Sequence, residues 1–145
     1  MKPIATRLAL LLALGMSISA PTGSAAPPAP CQAIPAEEWG SITGYKATAT
    51  PGEMNCTYAS PDQHSGGQFR IMAVVGSSAE AEAGVKRMRD HQAHQPKGGH
   101  DPSLDVIDSQ GPIVFSIALF QEKATAGTAA QLQKLAAAAK KNLPK

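Results

Sequence analysis

Apolar residues recur at every second position in several stretches of the chain, which is the spacing typical of half-buried β-strands. The alternation is clearest over residues 54–59, 68–75 and 113–121, and two shorter strands are predicted over residues 45–50 and 104–108. The core-facing sides of the two longest stretches consist of Phe69, Ile71, Ala73 and Val75, and of Ile113, Phe115, Ile117 and Leu119.

Three other stretches carry apolar residues at helical spacing, over residues 35–44, 77–94 and 128–143. A Ser or Thr followed three residues later by Glu or Gln opens the second and third of these stretches, at Ser77 and Thr128. This capping-box pattern satisfies free backbone donors at a helix start. The sequence therefore predicts one short and two longer helices.

These elements predict an α+β domain of order α-β-β-β-α-β-β-α over residues 31–145. An antiparallel sheet of about five strands would carry the helices on one face, because each amphipathic helix must bury its apolar stripe against another layer. The length suits a single domain with one core.

Residues 1–25 have the layout of a secretory signal peptide. Lys2 and Arg7 precede an almost entirely apolar run over residues 8–18, and small and polar residues follow it. The apolar run is too short to cross a bilayer as a stable helix. We place the cleavage site directly after residue 25.

The first cysteine, Cys31, comes soon after the predicted cleavage site, so lipidation has to be considered. Residues 26–30 form a Pro/Ala-rich leader, and Pro30 stands where a lipobox requires Gly or Ala. We therefore expect Cys31 to carry no lipid and the mature protein to be periplasmic or secreted, with no attachment to the membrane.

Removal of the signal peptide brings the formal net charge of the chain to zero. The full sequence has 13 basic and 11 acidic residues, and the signal peptide contributes Lys2, Arg7 and no acid. A neutral domain with interspersed charges lacks the basic patch that binding to nucleic acid or an anionic membrane requires. We therefore exclude both as partners.

The chain contains two cysteines, Cys31 and Cys56. An exported protein with an even number of cysteines most simply pairs them, and their spacing does not match a reactive Cys-x-x-Cys motif. The sequence thus predicts a disulfide between Cys31 and Cys56. It would stabilise the fold by about 3 kcal/mol by restricting the unfolded chain.

A cysteine shortly after the export signal is followed by Trp39-Gly40 in a short helix, by Cys56-Thr57-Tyr58 in a strand and by two strand–helix units. This pattern resembles the small exported single-disulfide domains typified by actinobacterial secreted lipoproteins of unknown function. The resemblance covers nearly the whole mature chain, although the lipobox of those lipoproteins is missing. It implies export and binding of a ligand or partner, and it transfers no catalytic residues.

Four residues near the end of the second long helix could bind a metal: His91, His94, His100 and Asp101. Residues three apart share one side of a helix, and zinc accepts imidazole and carboxylate ligands. However, Arg87 lies on the side of His91 and would repel a cation, and a solvated histidine is favourable near helix C-terminal carbonyls. We therefore expect a solvated helix end and keep a metal site as the alternative.

Two further clusters could suggest catalysis. Asp62, His64 and Ser65 share one loop, but residues so close along the chain rarely converge as a catalytic triad. Glu37 and Glu38 are neighbours on a helix and point apart, unlike the facing carboxylates of a glycosidase. We interpret the first cluster as a hairpin loop and the second as a helix start.

Three residues form a possible binding surface: Trp39, Tyr45 and His64. Exposed aromatic side chains often anchor a partner, but a large aromatic residue beside a disulfide is more often part of the core. We expect burial for Trp39 in particular, and keep all three as candidates.

No motif in the sequence specifies a reaction or a cofactor, so we do not expect an enzyme. The preferred hypothesis is a non-catalytic periplasmic or secreted module that binds a protein, as inhibitors, immunity proteins and sensor domains do. The first alternative is a metal-assisted hydrolase that uses His91, His94 and His100. The second alternative is a structural component of the cell envelope.

Overall fold

The structure is a computed structural model that describes residues 28–95 and 101–145. The helices are α1 (Pro30–Ala33), α2 (Ala36–Thr43), α3 (Ser78–Ala93) and α4 (Thr128–Asn142). The strands are β1 (Thr48–Pro51), β2 (Asn55–Ala59), β3 (Gly66–Val74), β4 (Asp105–Gln110) and β5 (Ile113–Phe120), and a 3₁₀ turn over Pro102–Leu104 precedes β4. The predicted α+β class and element order are confirmed.

The five strands form one antiparallel sheet in the order β1-β2-β3-β5-β4. Tight turns join β1 to β2 and β4 to β5, and α3 connects β3 to β4. Because this connection places β4 at the far edge, β5 can return between β4 and β3. The two edge strands of the sheet are therefore β1 and β4.

The main core lies between one face of the sheet and the helices α1, α2 and α4. The inward residues of β2, of β5 and of β3 as far as Ile71 alternate as the sequence predicts, and α4 contributes a leucine and alanine stripe. The largest buried side chains of this cluster are Trp39, Tyr58, Phe69, Phe115, Ile34, Ile117 and Leu135.

The prediction that all helices share one face is wrong for α3. A register shift between Ile71 and Ala73 leaves Met72 as an extra residue in β3. A bulge of this kind reverses the direction of the side chains that follow it, so Ala73 and Val75 face away from the main core. They contribute to a second cluster, formed by α3 with Ile107 and Val114 on the opposite face of the sheet.

The predicted disulfide is present and joins Cys31 of α1 to Cys56 of β2, with 5.0 Å between the two Cα atoms. The sequence did not predict α1 itself. Pro30, the last residue of the predicted leader, is buried and is the first residue of α1. The folded domain therefore includes the end of the Pro/Ala-rich segment.

The two predicted capping boxes have different outcomes. Ser77 accepts a hydrogen bond from the Glu80 amide at 3.2 Å, and the Glu80 carboxylate accepts one from the Gly76 amide at 3.0 Å. Thr128, in contrast, is the first buried residue of α4, and its hydroxyl accepts from the Thr125 amide at 2.8 Å. The prediction of a capping box at α4 is therefore wrong.

The predicted signal peptide, the first two residues of the leader and the candidate ligand His100 lie outside the described residues. Among the residues that are described, none of the helices combines the length and the apolar character needed to cross a membrane.

Candidate functional site

The face of the sheet opposite the main core is covered by α3 over β4, β5 and the end of β3. The remaining part, which we call the open face, is formed by the outward residues of β1, β2, β3 and β5. They are Thr48, Thr50, Asn55, Thr57, Ala59, Gly66, Gln68, Arg70, Ser116, Ala118 and Phe120. Polar side chains dominate this face, as expected of a sheet surface in contact with water.

One row of the open face crosses four strands at the end of the β2–β3 hairpin. The register pairs Thr48 with Ala59, Ala59 with Gly66, and Gly66 with Phe120. Two small residues thus lie between a threonine and a phenylalanine. A Cβ atom at Gly66 would lie 2.5 Å from the Tyr58 carbonyl oxygen, so only glycine fits there.

The loop between β2 and β3 forms the rim beside this row and is held by the buried Ser60. The Ser60 hydroxyl donates to Asp62 and accepts from the Ser65 amide at 3.1 Å, while the Ser60 amide donates to the Ser65 carbonyl at 2.9 Å. Gln63 adopts a left-handed backbone with φ of 59°, which is uncommon for a residue other than glycine. These bonds fix the conformation of the loop.

The Asp62 carboxylate belongs to this loop network. It accepts hydrogen bonds from the Ser60 hydroxyl and the His64 backbone amide, and both lower the pKa of Asp62 below its ordinary value of 3.8. The bond to His64 involves the backbone amide rather than the imidazole. Asp62, His64 and Ser65 are therefore brought together as a structured turn, in line with the hairpin-loop interpretation.

The row and the rim enclose an open pocket of about 420 Å³, which we call the hairpin pocket. Its lining includes no carboxylate, ammonium or guanidinium group. Phe120 forms one wall and is 49% exposed, the highest value among the exposed large hydrophobic residues of the described chain. The pocket thus combines an aromatic wall with neutral hydrogen-bonding groups.

Trp39 is fully buried and lies on the core side of the same strands. Its indole stacks on the Tyr58 ring with the centroids 3.9 Å apart, and its Nε1–H donates to the Tyr45 hydroxyl at 2.8 Å. Gly67 provides the space for the indole, since a Cβ there would lie 2.4 Å from Trp39 Cζ2. Of the three surface candidates, Trp39 is therefore part of the core, as expected.

Tyr45 and His64, the other two surface candidates, are separated. Tyr45 is half-buried and lines a second pocket of about 590 Å³ between α2 and the segment that enters β1. Half of its lining residues are glycine or alanine, and Glu37 and Lys46 also line it. It is larger than the hairpin pocket, but none of the exposed large hydrophobic residues lies in it. We therefore treat the hairpin pocket as the better candidate.

The described metal-ligand candidates do not converge. His91 Nε2 lies 3.0 Å from the Gln95 side-chain amide, and His94 Nδ1 lies 2.6 Å from the Asp90 carbonyl. Asp101 caps the 3₁₀ turn by accepting from the Ser103 amide. No group of three potential metal ligands occurs within residues 28–95 and 101–145.

The adjacent carboxylates of α2 also point apart. Glu38 accepts from the Asn142 side-chain amide at 3.2 Å and lies 3.8 Å from Lys141 Nζ, so it joins α2 to the end of α4. Glu37 instead lines the pocket beside Tyr45. This arrangement agrees with a structural role at the helix start.

Sequence reasoning did not single out Phe120. The signal was nevertheless present, because the predicted strand places Ile117 and Leu119 on its core side, and alternation then directs Phe120 to the opposite side. An aromatic residue at a polar face marks a possible contact site.

Comparison of the chain with protein-family models, with curated proteins and with solved structures found no match.

Proposed function

We propose that this protein is a non-catalytic module that is exported from the cytoplasm and binds a partner protein through the hairpin pocket and the adjoining open face. The observation that carries the proposal is the 49% exposed Phe120 beside a pocket with a fixed rim. An aromatic side chain at the centre of a contact provides a large buried area for little loss of conformational entropy.

The rigidity of the site supports binding. Ser60 holds the loop on one side of the pocket, and the paired strands β3 and β5 hold Phe120 on the other. Because these groups are ordered before a partner arrives, association costs less entropy than it would with a mobile loop. Such a preorganised surface suits an inhibitor, immunity or sensor type of protein.

Export is the second part of the proposal. It is supported by the signal-peptide layout of residues 1–25 and by the Cys31–Cys56 disulfide, since disulfides persist mainly in oxidising compartments. We place the mature protein in the periplasm or outside the cell. There a partner protein of the envelope or the surroundings would meet the open face.

Site-specific photocrosslinking in the native cell envelope tests this function. The variant Phe120→p-benzoylphenylalanine keeps an aromatic group at the pocket wall. The matched control places the same group at Met72, which is 41% exposed on the same strand system but far from the pocket. We expect one discrete protein adduct from position 120 and none from position 72.

Competition makes the experiment decisive. An excess of unlabelled wild-type protein should suppress the adduct at position 120, and an equal excess of the Phe120→Ala variant should not. Equal adducts from both positions, or none from position 120, would refute the proposed function.

A further inference from the structure

We infer that Arg89 blocks the edge strand β4 against a second β-strand, so that two copies of this chain cannot join their sheets at that edge. The inference does not depend on the proposed function. It concerns the edge of the sheet farthest from β1.

The two edges of the sheet differ in how open they are to pairing. The free side of an edge strand carries backbone donors and acceptors that another chain can bond. β1 is four residues long and ends at Pro51, which has no amide hydrogen, and both features limit such pairing. β4 is six residues long and contains no proline. It is therefore the edge at which pairing has to be prevented by other means.

The pairing of β4 with β5 determines which backbone groups of β4 point outward. In an antiparallel ladder every second residue directs its N–H and C=O groups to the neighbouring strand. Gln110 lies opposite Ile113 across a two-residue turn, and such a turn is closed by a hydrogen-bonded pair. Asp105, Ile107 and Ser109 therefore direct their backbone groups away from the sheet.

Arg89 occupies the outward carbonyl of Ile107. Its Nη2 and Nε atoms lie 2.6 and 3.1 Å from that oxygen, and we call these two hydrogen bonds the Arg89 clamp. The amide nitrogen of an added strand would have to come within about 2.9 Å of the same oxygen, where the planar guanidinium now lies. Pairing would thus require Arg89 to give up two charge-assisted hydrogen bonds.

The packing of α3 brings Arg89 to this edge. Val85 is buried in the second cluster together with Ile107 of β4. Residues four apart lie on the same side of a helix, so Arg89 follows Val85 by one turn on the side that faces β4. The clamp therefore depends on the same helix face that covers this part of the sheet.

The outward amides of the two neighbouring residues are also engaged within the chain. The Asp105 amide donates to the Pro102 carbonyl. The Ser109 amide donates at 2.8 Å to the Asp108 carboxylate, whose other oxygen lies 2.7 Å from Lys140 Nζ of α4. Each outward residue of β4 thus has one backbone group bonded within the chain, and the Arg89 clamp provides the central one.

Sedimentation velocity of the mature protein between about 10 and 500 µM tests the inference. Arg89→Ala removes the clamp and leaves a strong helix former in its place. The matched control, Arg87→Ala, removes the same charge from an exposed position of α3 two residues away. Because a pair of six-residue strands is a small interface, we expect Arg89→Ala to dimerise with a dissociation constant of about 0.1 mM. Wild type and Arg87→Ala should stay monomeric.

Amide hydrogen exchange locates the contact. In a dimer of the Arg89→Ala variant the outward amide of Ile107 would bond β4 of the second copy. Its exchange should therefore slow about threefold between the lowest and the highest concentration, as the dimeric fraction rises to about three quarters. The amide of Ala49 on the other edge strand should exchange at the same rate at both concentrations.

Two further variants separate the clamp from the attachment of α3. Val85→Ala removes two methyl groups from the second cluster and keeps Arg89, so it should loosen the helix without causing association. Ser109→Pro, added to Arg89→Ala, removes an outward amide of β4 and should restore the monomer, because proline blocks pairing at a sheet edge.

Three results would overturn the inference: a monomeric Arg89→Ala at every concentration, equal association of Arg87→Ala or Val85→Ala, or slowed exchange at Ala49 instead of Ile107. If Arg89→Ala does not fold, as judged by tryptophan fluorescence, Arg89→Gln takes its place. This variant also lacks the guanidinium group, and the same association and the same exchange pattern are expected of it.

Discussion

The close packing of Trp39 against Gly67 predicts that any side chain at position 67 lowers the free energy of unfolding. Replacement of Gly67 by alanine would place a Cβ 2.4 Å from Trp39 Cζ2 and 2.5 Å from the Ala118 carbonyl oxygen. Such distances cannot be tolerated, and neither neighbour can move freely. Ala118 lies within β5, and the indole is fixed by its stack on Tyr58. We therefore expect the Trp39 ring or the strand to be displaced.

The cost can be estimated from comparable changes. Overpacking a well-packed core typically costs about 1–3 kcal/mol. Displacement of a large aromatic side chain approaches the roughly 3–5 kcal/mol of its complete removal. For Gly67→Ala we expect a loss of about 3 kcal/mol in the free energy of unfolding.

Gly84→Ala is the matched control. Gly84 lies within α3, and a Cβ there would have its nearest neighbours, Val114 Cγ2 and Arg87 Nη2, at 3.8 and 3.9 Å. These are ordinary contacts, and alanine stabilises a helix interior by about 0.5–1 kcal/mol relative to glycine. A glycine-to-alanine change should thus lower the free energy of unfolding at Gly67 in β3 and raise it at Gly84 in α3.

Urea unfolding of the oxidised protein measures both effects. The sequence contains one tryptophan, so the fluorescence of Trp39 reports the loss of its own environment. A change in midpoint at constant slope reports stability alone. If Gly67→Ala changed the free energy of unfolding by less than about 0.5 kcal/mol, as an ordinary surface substitution does, the packing of Trp39 described above would be refuted.

Three other predictions concern the loop, the core and the disulfide. The hydrogen bond from the Ser60 hydroxyl lowers the pKa of Asp62 in the folded protein. The stability that the ionised Asp62 carboxylate contributes is therefore complete above the ordinary pKa of 3.8 and disappears as the pH falls through the lowered pKa. Asp62→Asn should therefore reduce the loss of stability between neutral pH and about pH 2, measured by urea unfolding at each pH. Leu135→Ala should cost about 2–5 kcal/mol in thermal or urea unfolding, since Leu135 is fully buried under the sheet; a cost near zero would contradict that burial. Replacing Cys31 and Cys56 together by alanine should lower the free energy of unfolding by about 3 kcal/mol, and an unchanged value would show that the bridge does not restrain the chain.

Much of the fold follows from local sequence pattern. The alternation in β2, in β5 and in β3 as far as Ile71 identified the core side of each strand, and the export context paired the two cysteines. These features depend on residues close in sequence or on composition, so they can be read without knowledge of the register. The short helix α1 escaped prediction because four residues are too few to show a helical period.

The position of α3 could not be derived in the same way. Residues 69, 71, 73 and 75 alternate without interruption in the sequence, and nothing in them marks Met72 as an extra residue. The bulge arises from the pairing of β3 with β5, which is a tertiary property. Its effect is to turn the last part of β3 towards the opposite face, where α3 packs.

The hairpin pocket, like the position of α3, could not be predicted from local sequence pattern. The outward direction of Phe120 follows from alternation, but the hairpin pocket depends on the register that aligns Thr48, Ala59, Gly66 and Phe120 across four strands. Residues so far apart in sequence give no joint signal in a single chain. His64 was identified as a surface candidate, and the structure places it at the rim of this pocket.

The central claim is that Phe120 anchors a partner protein. The most direct measurement uses the partner protein that the crosslink at position 120 identifies. Titration calorimetry gives its affinity for the wild type, for Phe120→Ala and for Met72→Ala. An interfacial anchor contributes about 2 kcal/mol or more, so Phe120→Ala should weaken binding at least about 30-fold. Met72→Ala, which changes another exposed hydrophobic residue, should stay within about twofold of wild type. Equal affinities for wild type and Phe120→Ala would contradict the claim.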